Sequence, residues 1–436
     1  MRILNKDTAA EIGKEISING WLHKKRMLGG LTFINVRDRS GLVQVVIEDK
    51  KESEKLRGMQ IGTVLEITGK VKEEPRAPGG AEMYEPTITV MVPVTEEPPI
   101  EIDKPLSHKS EHLETLFENR VVGLRNLQET AIFKIQAKVL EAAREYFIQN
   151  GFTEMNTPKL LAEATEGGAE VFKLDYFGKE ATLAQSAQFY KQMMVGVFER
   201  VFETNPTYRA ELSATTRHMS EYITIDAELG FITFDELREF AHQLLKHIVD
   251  RVWEAYEPEL KRWNAQKPLL SDNAVSMPLA EVHELFEKKT KQIVEDKKDL
   301  TPAEEKWITE YAKKNLGTEA LFVTEWPSND MKFYHKKMDD KPELAERSDF
   351  LFRGLEIMTC PMREHRYDVL VQQLKDKLGA DPSDPGFKYY LQAFKHGLPP
   401  HGGFGLGLER LTQRIIGLNN VKEATLFPRD INRLTP

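Results

Sequence analysis

The stretch TYRAELSATTRHMSEYITIDAEL, residues 207–229, sets Arg209, Glu211, Arg217, His218, Asp226 and Glu228 between two strand-like runs joined by the turn-like SATTRH. Strand alternation puts Arg209 with Glu211 on one face, and Asp226 with Glu228 on one face. An arginine placed this way can clamp a phosphate through two hydrogen bonds. Carboxylates beside it can hold a metal ion or a ligand ammonium group. The same pattern also fits a cross-strand ladder of ion pairs on a solvated face.

Two further stretches carry chemistry. PPHGGFGLGLERL, residues 399–411, has four glycines in six residues and then opens a helical pattern. It lacks the Lys-Ser/Thr of a P-loop and the spacing of a dinucleotide fingerprint. Its glycines either let backbone approach a ligand, with Arg410 against a phosphate, or serve tight packing of helix on strand. QSAQFYKQMM, residues 185–194, ends a strand on Ser186 and Gln188 and places Lys191 one helical turn on. Those groups could bind a small zwitterion, or form an ordinary strand-to-helix junction.

The elements that must position these residues follow from pattern and composition. At 436 residues the chain is expected to hold two or more domains. Its single cysteine, Cys360, excludes an intrachain disulfide and fits a reducing cytoplasm. No apolar run is long enough for a membrane span. The net charge of −9 argues against nonspecific coating of nucleic acid, though not against a local basic groove. Residues 1–103 read as five short strands, with a charged helical segment after the third. That is the order of an OB-fold, a barrel that binds oligonucleotides on one face. Acidic, proline-rich sequence leads into a hinge or linker at 104–128. From 129 to 436, helices and strands alternate irregularly, which favours an α+β domain on an antiparallel sheet. Within it, about 255–316 reads as a charged, mostly helical insertion.

GFTEMNTPKLL with Pro158, the 207–229 stretch and GGFGLGLERL resemble, in order, motifs 1, 2 and 3 of the class II aminoacyl-tRNA synthetases. The resemblance covers nearly the whole chain, and the preceding OB-fold places it in the aspartate, asparagine and lysine subclass. EATEGGAEVF, FYKQMM, DDKPE, REHRYD and LFPRDINRLTP are most similar to the archaeal-type aspartyl enzymes. The resemblance implies ATP-dependent attachment of L-aspartate to tRNA(Asp) through an aspartyl-adenylate, by a cytoplasmic homodimer whose interface element is motif 1. An asparaginyl enzyme, or a paralogue that kept only the fold, are the alternatives.

It further implies roles residue by residue. Arg209 grips the α-phosphate of ATP and Arg410 the γ-phosphate. Tyr222 stacks on adenine, with Arg410 over the other face. Glu211, Arg217 and His218 belong to the nucleotide site, the last two in a loop that also reaches the tRNA acceptor end. Glu356, and Thr359 in place of the family's serine, hold Mg2+. Lys191 and Arg363 receive the side-chain carboxylate of aspartate, since a buried carboxylate needs cationic partners. Glu166, Ser186, Gln188 and Asp226 hold the α-amino group. Ala187, Met358, Cys360 and Pro361 depart from the family pattern of proline, serine and Gly-Gly. On the barrel, Phe33 is expected either to stack on an anticodon base or to fill the barrel core, with Arg26 and Gln44 on base edges. His23 and Pro78 resemble the relaxed kind of enzyme, which also charges tRNA(Asn).

Overall fold

A computed structural model describes residues 2–162, 170–212 and 215–435. The chain divides into two compact units, Met1–Thr130 and Ala131–Pro436.

In the first unit, β1 (Glu15–Leu28), β2 (Leu31–Arg37) and β3 (Leu42–Ile47) precede α1 (Lys50–Lys55), then β4 (Val64–Glu73) and β5 (Ala81–Val92). They close into a barrel in the order β1-β2-β3-β5-β4. Alternation decides which side chains face in: Ile34, Val36, Val43 and Val45 are buried in the barrel core with Ile18, Leu22 and Ile67. The Asp49 carboxylate caps α1, accepting from the backbone N–H of Lys51 and Glu52 at 2.9 and 2.8 Å. Beyond the barrel, the stretch expected as a hinge carries two short helices, α2 (Leu113–Glu118) and α3 (Arg120–Gly123). A buried triad fixes it: Glu129 meets His108 Nε2 at 2.7 Å and Arg120 Nη1 at 3.1 Å. Composition shows the prolines and acids of this segment but not that triad. The helix α4 (Leu127–Gln149) follows.

The second unit continues with β6 (Thr153–Glu154), β7 (Leu160–Leu161), β8 (Lys173–Tyr176), β9 (Lys179–Leu183), α5 (Gln188–Phe198), β10 (Arg200–Tyr208), β11 (Glu221–Gly230) and α6 (Phe234–Arg262). Next come β12 (Ser276–Pro278), α7 (Leu279–Thr290), α8 (Pro302–Asn315), β13 (Ala320–Thr324), β14 (Trp326–Pro327), β15 (Leu344–Ala345), β16 (Arg347–Phe352) and β17 (Leu355–Pro361). The chain ends with α9 (Tyr367–Leu378), α10 (Pro385–Lys395), β18 (His401–Gly407) and α11 (Leu408–Ile416).

Eight strands form the main sheet in the order β12-β13-β16-β17-β18-β11-β10-β6. The pairings from β13 through β10 are antiparallel, and the two outermost, β12 with β13 and β6 with β10, are parallel. The stretch read as an insertion is therefore not helical throughout, since β12 extends the sheet. Phe147 of α4, Leu244 and Ile248 of α6, and Phe202, Phe350 and Phe404 of the sheet belong to one core cluster. Each such side chain contributes about 1.5–3 kcal/mol by leaving water. A capping box starts α6: Thr233 Oγ1 donates to Glu236 Oε2 at 2.7 Å, and Glu236 N donates to Thr233 Oγ1 at 3.4 Å.

Candidate active site

Adjacent central strands supply the floor of the site. In the antiparallel register, Asp226 of β11 lies opposite Gly405 of β18, and Glu228 opposite Gly403. A Cβ on Gly403 would sit 2.2 Å from both Ala227 O and Glu228 Oε2, and one on Gly405 would sit 3.2 Å from Asp226 Oδ1. The glycine run is thus itself a strand, stripped of side chains where two buried carboxylates need the space.

Those carboxylates meet two buried cations. Lys191, one turn into α5, donates from Nζ to Asp226 Oδ1 at 2.9 Å and to Phe404 O at 2.8 Å, and lies 3.6 Å from Glu228 Oε2. Arg363 donates to Glu228 through Nε at 2.7 Å and Nη2 at 3.2 Å. Asp226 also accepts from Thr224 Oγ1 at 2.6 Å and Asn205 Nδ2 at 3.2 Å. Burial pushes the Asp226 carboxyl up, but Lys191 and these hydrogen bonds outweigh it and hold it below the usual carboxylate range. The cluster is charge-balanced and hydrogen-bonded, as buried ions must be.

The other end of the same cavity is basic. β10 ends at Tyr208, so Arg209 and Glu211 lie beyond the strand and not in it as expected; one further bond, Arg209 N to Ser220 O at 2.9 Å, carries the pairing past its end. Arg410, in the first turn of α11, donates from Nη1 to Glu356 O at 3.1 Å. Both Arg209 and Arg410 act on His218 and Tyr222. Burial, Arg410, Arg209 and Arg217 lower the His218 pKa against the opposing pull of Glu211, keeping the ring neutral. Arg217 donates from Nη1 to Glu305 Oε2 of α8 at 2.9 Å.

Between the two ends lies an oxygen-rich corner. Thr359 Oγ1 donates to Glu356 Oε1 at 2.8 Å. Asp349, across the strand pair from Thr359, accepts from Arg347 Nε and Nη2 at 3.2 and 2.7 Å. Burial, and the Glu356 carboxylate beside it, still push Asp349 up to about 7.

One cavity of about 470 Å3 is lined by Ser186, Gln188, Lys191, Arg209, Glu211, Arg217, His218, Tyr222, Asp226, Glu356, Thr359, Arg363 and Arg410. The expected site residues, drawn from distant segments, therefore share one space. Glu166 lies outside the described residues. Pro361 also lines the cavity, whereas Cys360 is buried beneath it. The sequence placed Glu228 beside Asp226 as a candidate acid, but gave no role to Asp349, Arg347, Tyr334, His335 or Glu409. Arg363 lies over the Tyr334 ring, 5.5 Å from its centroid. Glu409 accepts from Ile223 N with both oxygens at 3.1 Å, and burial pushes its carboxyl up to about 7. The signal for Asp349 and Arg347 was a lone charge pair at i and i+2 in the otherwise apolar RSDFLF.

On the barrel, β2 exposes Phe33 and Asn35 partly on its outer face, while Ile34 and Val36 point into the core, so the core-filling alternative for Phe33 is set aside. Arg26 lies opposite Phe33 on β1, and Gln44 opposite Asn35 on β3, which puts all four on that outer face. Gln44 Nε2 donates to Glu82 Oε2 at 2.7 Å. His23 is buried at the irregularity between Leu22 and Lys24, and Pro78 opens the short turn Pro78–Gly80.

A nucleotide-sized cavity walled by arginines, above a buried acid–base cluster and on an antiparallel sheet, is the architecture of an amino-acid-activating ligase. The chain belongs to the tRNA synthetases class II (D, K and N), which match residues 112–431, and an OB-fold nucleic acid binding domain matches residues 16–92. It is 40% identical to the Aspartate--tRNA(Asp/Asn) ligase of Thermus thermophilus, over 100% of each chain. It is 39% identical to the Aspartate--tRNA(Asp) ligase of Pyrococcus furiosus, covering 99% of this chain and 98% of that one. The solved asparaginyl-tRNA synthetase of Pyrococcus horikoshii, complexed with asparaginyl-adenylate, superposes over 100% of both chains with a TM-score of 0.91 at 30% identity. Among the described residues, no helix is long and apolar enough to cross a membrane.

Proposed function

We propose that this protein attaches L-aspartate to tRNA(Asp), and also to tRNA(Asn), through an aspartyl-adenylate. The observation that carries the reading is Lys191, buried on the cavity lining with its ammonium 2.9 Å from Asp226 and 3.6 Å from Glu228, which is in turn paired with Arg363. Both cations are already balanced by Asp226 and Glu228, so an aspartate side chain would bind by sharing Lys191 or Arg363 with these carboxylates, an exchange that a neutral amide drives less. Asp226, with Ser186 and Gln188 lining the same cavity, is assigned to the substrate ammonium, a role the family resemblance also gives Glu166. The curated aspartate ligases that the chain resembles over its whole length support this choice.

In this reading the aspartate α-carboxylate attacks the α-phosphorus of ATP and pyrophosphate leaves. The attacking group is ionised at pH 7, so no general base is needed. Arg209 faces the α-phosphate and Arg410 the γ-phosphate, so charge gathering on phosphate oxygens meets fixed guanidinium groups. His218 and Arg217 flank the polyphosphate, Thr215 Oγ1 meets His218 Nδ1 at 2.8 Å, and Tyr222 offers its ring to adenine. The enzyme orients a carboxylate and a triphosphate in line, and that positioning supplies most of the rate.

Glu356 and Thr359, which line the cavity, fit Mg2+, with the buried Asp349 across the strand pair from Thr359. They present hard oxygen donors, and the Asp349 carboxyl, pushed up to about 7 mainly by burial and further by Glu356, is a group whose charged form a nearby cation would favour. When bound, the ion would neutralise phosphate charge and polarise the phosphoryl oxygens.

The outer barrel face supplies Phe33 for stacking on an anticodon base, with Arg26 and Gln44 reading base edges. His23 and Pro78 support the relaxed, two-tRNA reading, and motif 1 with Pro158 supports a homodimer in the cytoplasm. Pyrophosphate exchange with aspartate and with asparagine, in wild type and Lys191→Ala, tests the assignment. Aspartate-dependent exchange lost in the variant is expected; asparagine-dependent exchange would turn the assignment to the asparaginyl enzyme. Charging of purified tRNA(Asp) and tRNA(Asn) transcripts with aspartate tests the second half.

A further inference from the structure

Arg217 stands between two cavities. One is the nucleotide site; the other, of about 460 Å3, is walled by Arg217, Arg414 and Lys306, with Arg353 and Lys313 at its side. Arg410 and Arg414 are four residues apart on α11, so they lie one above the other on the same face of that helix. Arg410 lines the first cavity and Arg414 the second. Three guanidinium groups thus lead from the γ-phosphate end of the nucleotide site into the second space.

The charges in that space are not all answered. Glu319 takes up Lys313 at 2.9 Å and Arg353 at 3.2 Å. Glu310 lines it as an exposed acid, and Glu305 holds Arg217. The Nε of Arg414 is buried with no hydrogen-bond partner among the described residues. A buried, unpartnered guanidinium donor is costly unless an acceptor visits it. Burial first, and then the neighbouring Arg217 and Arg410, lower the Arg414 pKa, opposed by Glu305.

The first turn of α8 is fixed by the capping box of Thr301 with Glu304, and by His283 Nδ1 at 2.7 Å from Glu304 Oε1. Glu305, the next residue on this anchored turn, holds Arg217, which lies outside the helices and strands.

We propose that the second cavity receives the pyrophosphate released on adenylate formation, handed from Arg410 past Arg217 to Arg414 and Lys306. The proposal rests on the functional reading above for the source of pyrophosphate, not for the site itself. A calorimetric titration of the full chain with pyrophosphate tests it, run while a saturating ATP analogue with a non-hydrolysable β–γ link fills the nucleotide cavity. One equivalent is expected to bind. Lys306→Gln and Arg414→Gln should each weaken it about tenfold, the value of one charged hydrogen bond. The KM for ATP in exchange should stay unchanged. Lys306 is exposed, so its variant reports even if the Arg414 variant misfolds. No binding in the presence of the analogue, or loss of ATP affinity in step with pyrophosphate, overturns the proposal. So does unchanged pyrophosphate binding with poorer use of tRNA, which would give the cavity to RNA backbone. The titration needs no amino acid, so a chain that activated neither aspartate nor asparagine would leave it readable.

Discussion

The ammonium of Lys191 and the carboxylate of Asp226 form a 2.9 Å ion pair in which both side chains are about 2% exposed. The pair joins the helix α5 to the strand β11 and lies where substrate recognition is proposed. Lys191→Met leaves Glu228 paired with Arg363, and Asp226 with the neutral donors Thr224 and Asn205. Breaking a buried pair of this kind costs about 3–5 kcal/mol. The variant should show a lowered denaturation midpoint and no detectable aspartate-dependent exchange. A variant that kept exchange would remove the aspartate assignment.

A pH dependence follows from Asp349. Its folded-state pKa is about 7, against an ordinary value of 3.8, so between those values the folded chain holds a proton that the unfolded chain has released. Stability from this group is full below about pH 4 and declines as pH rises towards 7. Denaturant midpoints measured from pH 4 to pH 7 should fall more steeply in wild type than in Asp349→Asn. Added Mg2+ should flatten the wild-type slope and release protons, because its ligands bind deprotonated. Identical slopes in the two proteins would disprove the account.

The two strand glycines should respond differently to alanine. At Gly403 the new Cβ would lie 2.2 Å from backbone oxygen and from the Glu228 carboxylate, so sheet or ion pair must shift. At Gly405 the nearest atom is a side-chain oxygen 3.2 Å away. Gly403→Ala should lose about 3 kcal/mol, in the upper range for overpacking, and Gly405→Ala clearly less. Thermal unfolding of both decides it.

Phe33 separates the two halves of the reaction. Phe33→Ala should leave the barrel folded, because the ring lies outside its core. It should reduce kcat/KM for tRNA by about 10- to 100-fold, the range of one base–aromatic stack. Pyrophosphate exchange without tRNA should be untouched, and a drop in exchange would contradict the role.

Much of this was legible before any coordinates. β-Branched runs gave the barrel strands, helical spacing gave the core face of α4 through Ile132, Ile135, Val139 and Phe147, and Thr233 with Glu236 marked the start of α6. The limits have physical causes. The glycines of β18 were open to two readings, ligand approach or helix–strand packing, because the reason for them, the carboxylates of β11, lies on a strand more than 170 residues earlier. FLFRGLEIMT is strand-like in composition on both sides of Arg353 and Gly354, which both take positive φ and turn it into the hairpin of β16 and β17. Lys191 was expected to await a ligand, but it already has partners, because an uncompensated ammonium could not be buried there. Asp349 went unnoticed because one acid in an apolar strand acquires meaning only when Glu356 arrives beside it.

Cys360 is wholly enclosed between sheet and helix, and burial, with Asp349 nearby, pushes its thiol pKa well above the ordinary value. Thiolate is the reactive form, so maleimides and disulfide reagents should pass the native chain by. A cysteine engineered anywhere on the surface would then be the sole target of a dye, giving a fluorescent enzyme without first removing its own sulfur.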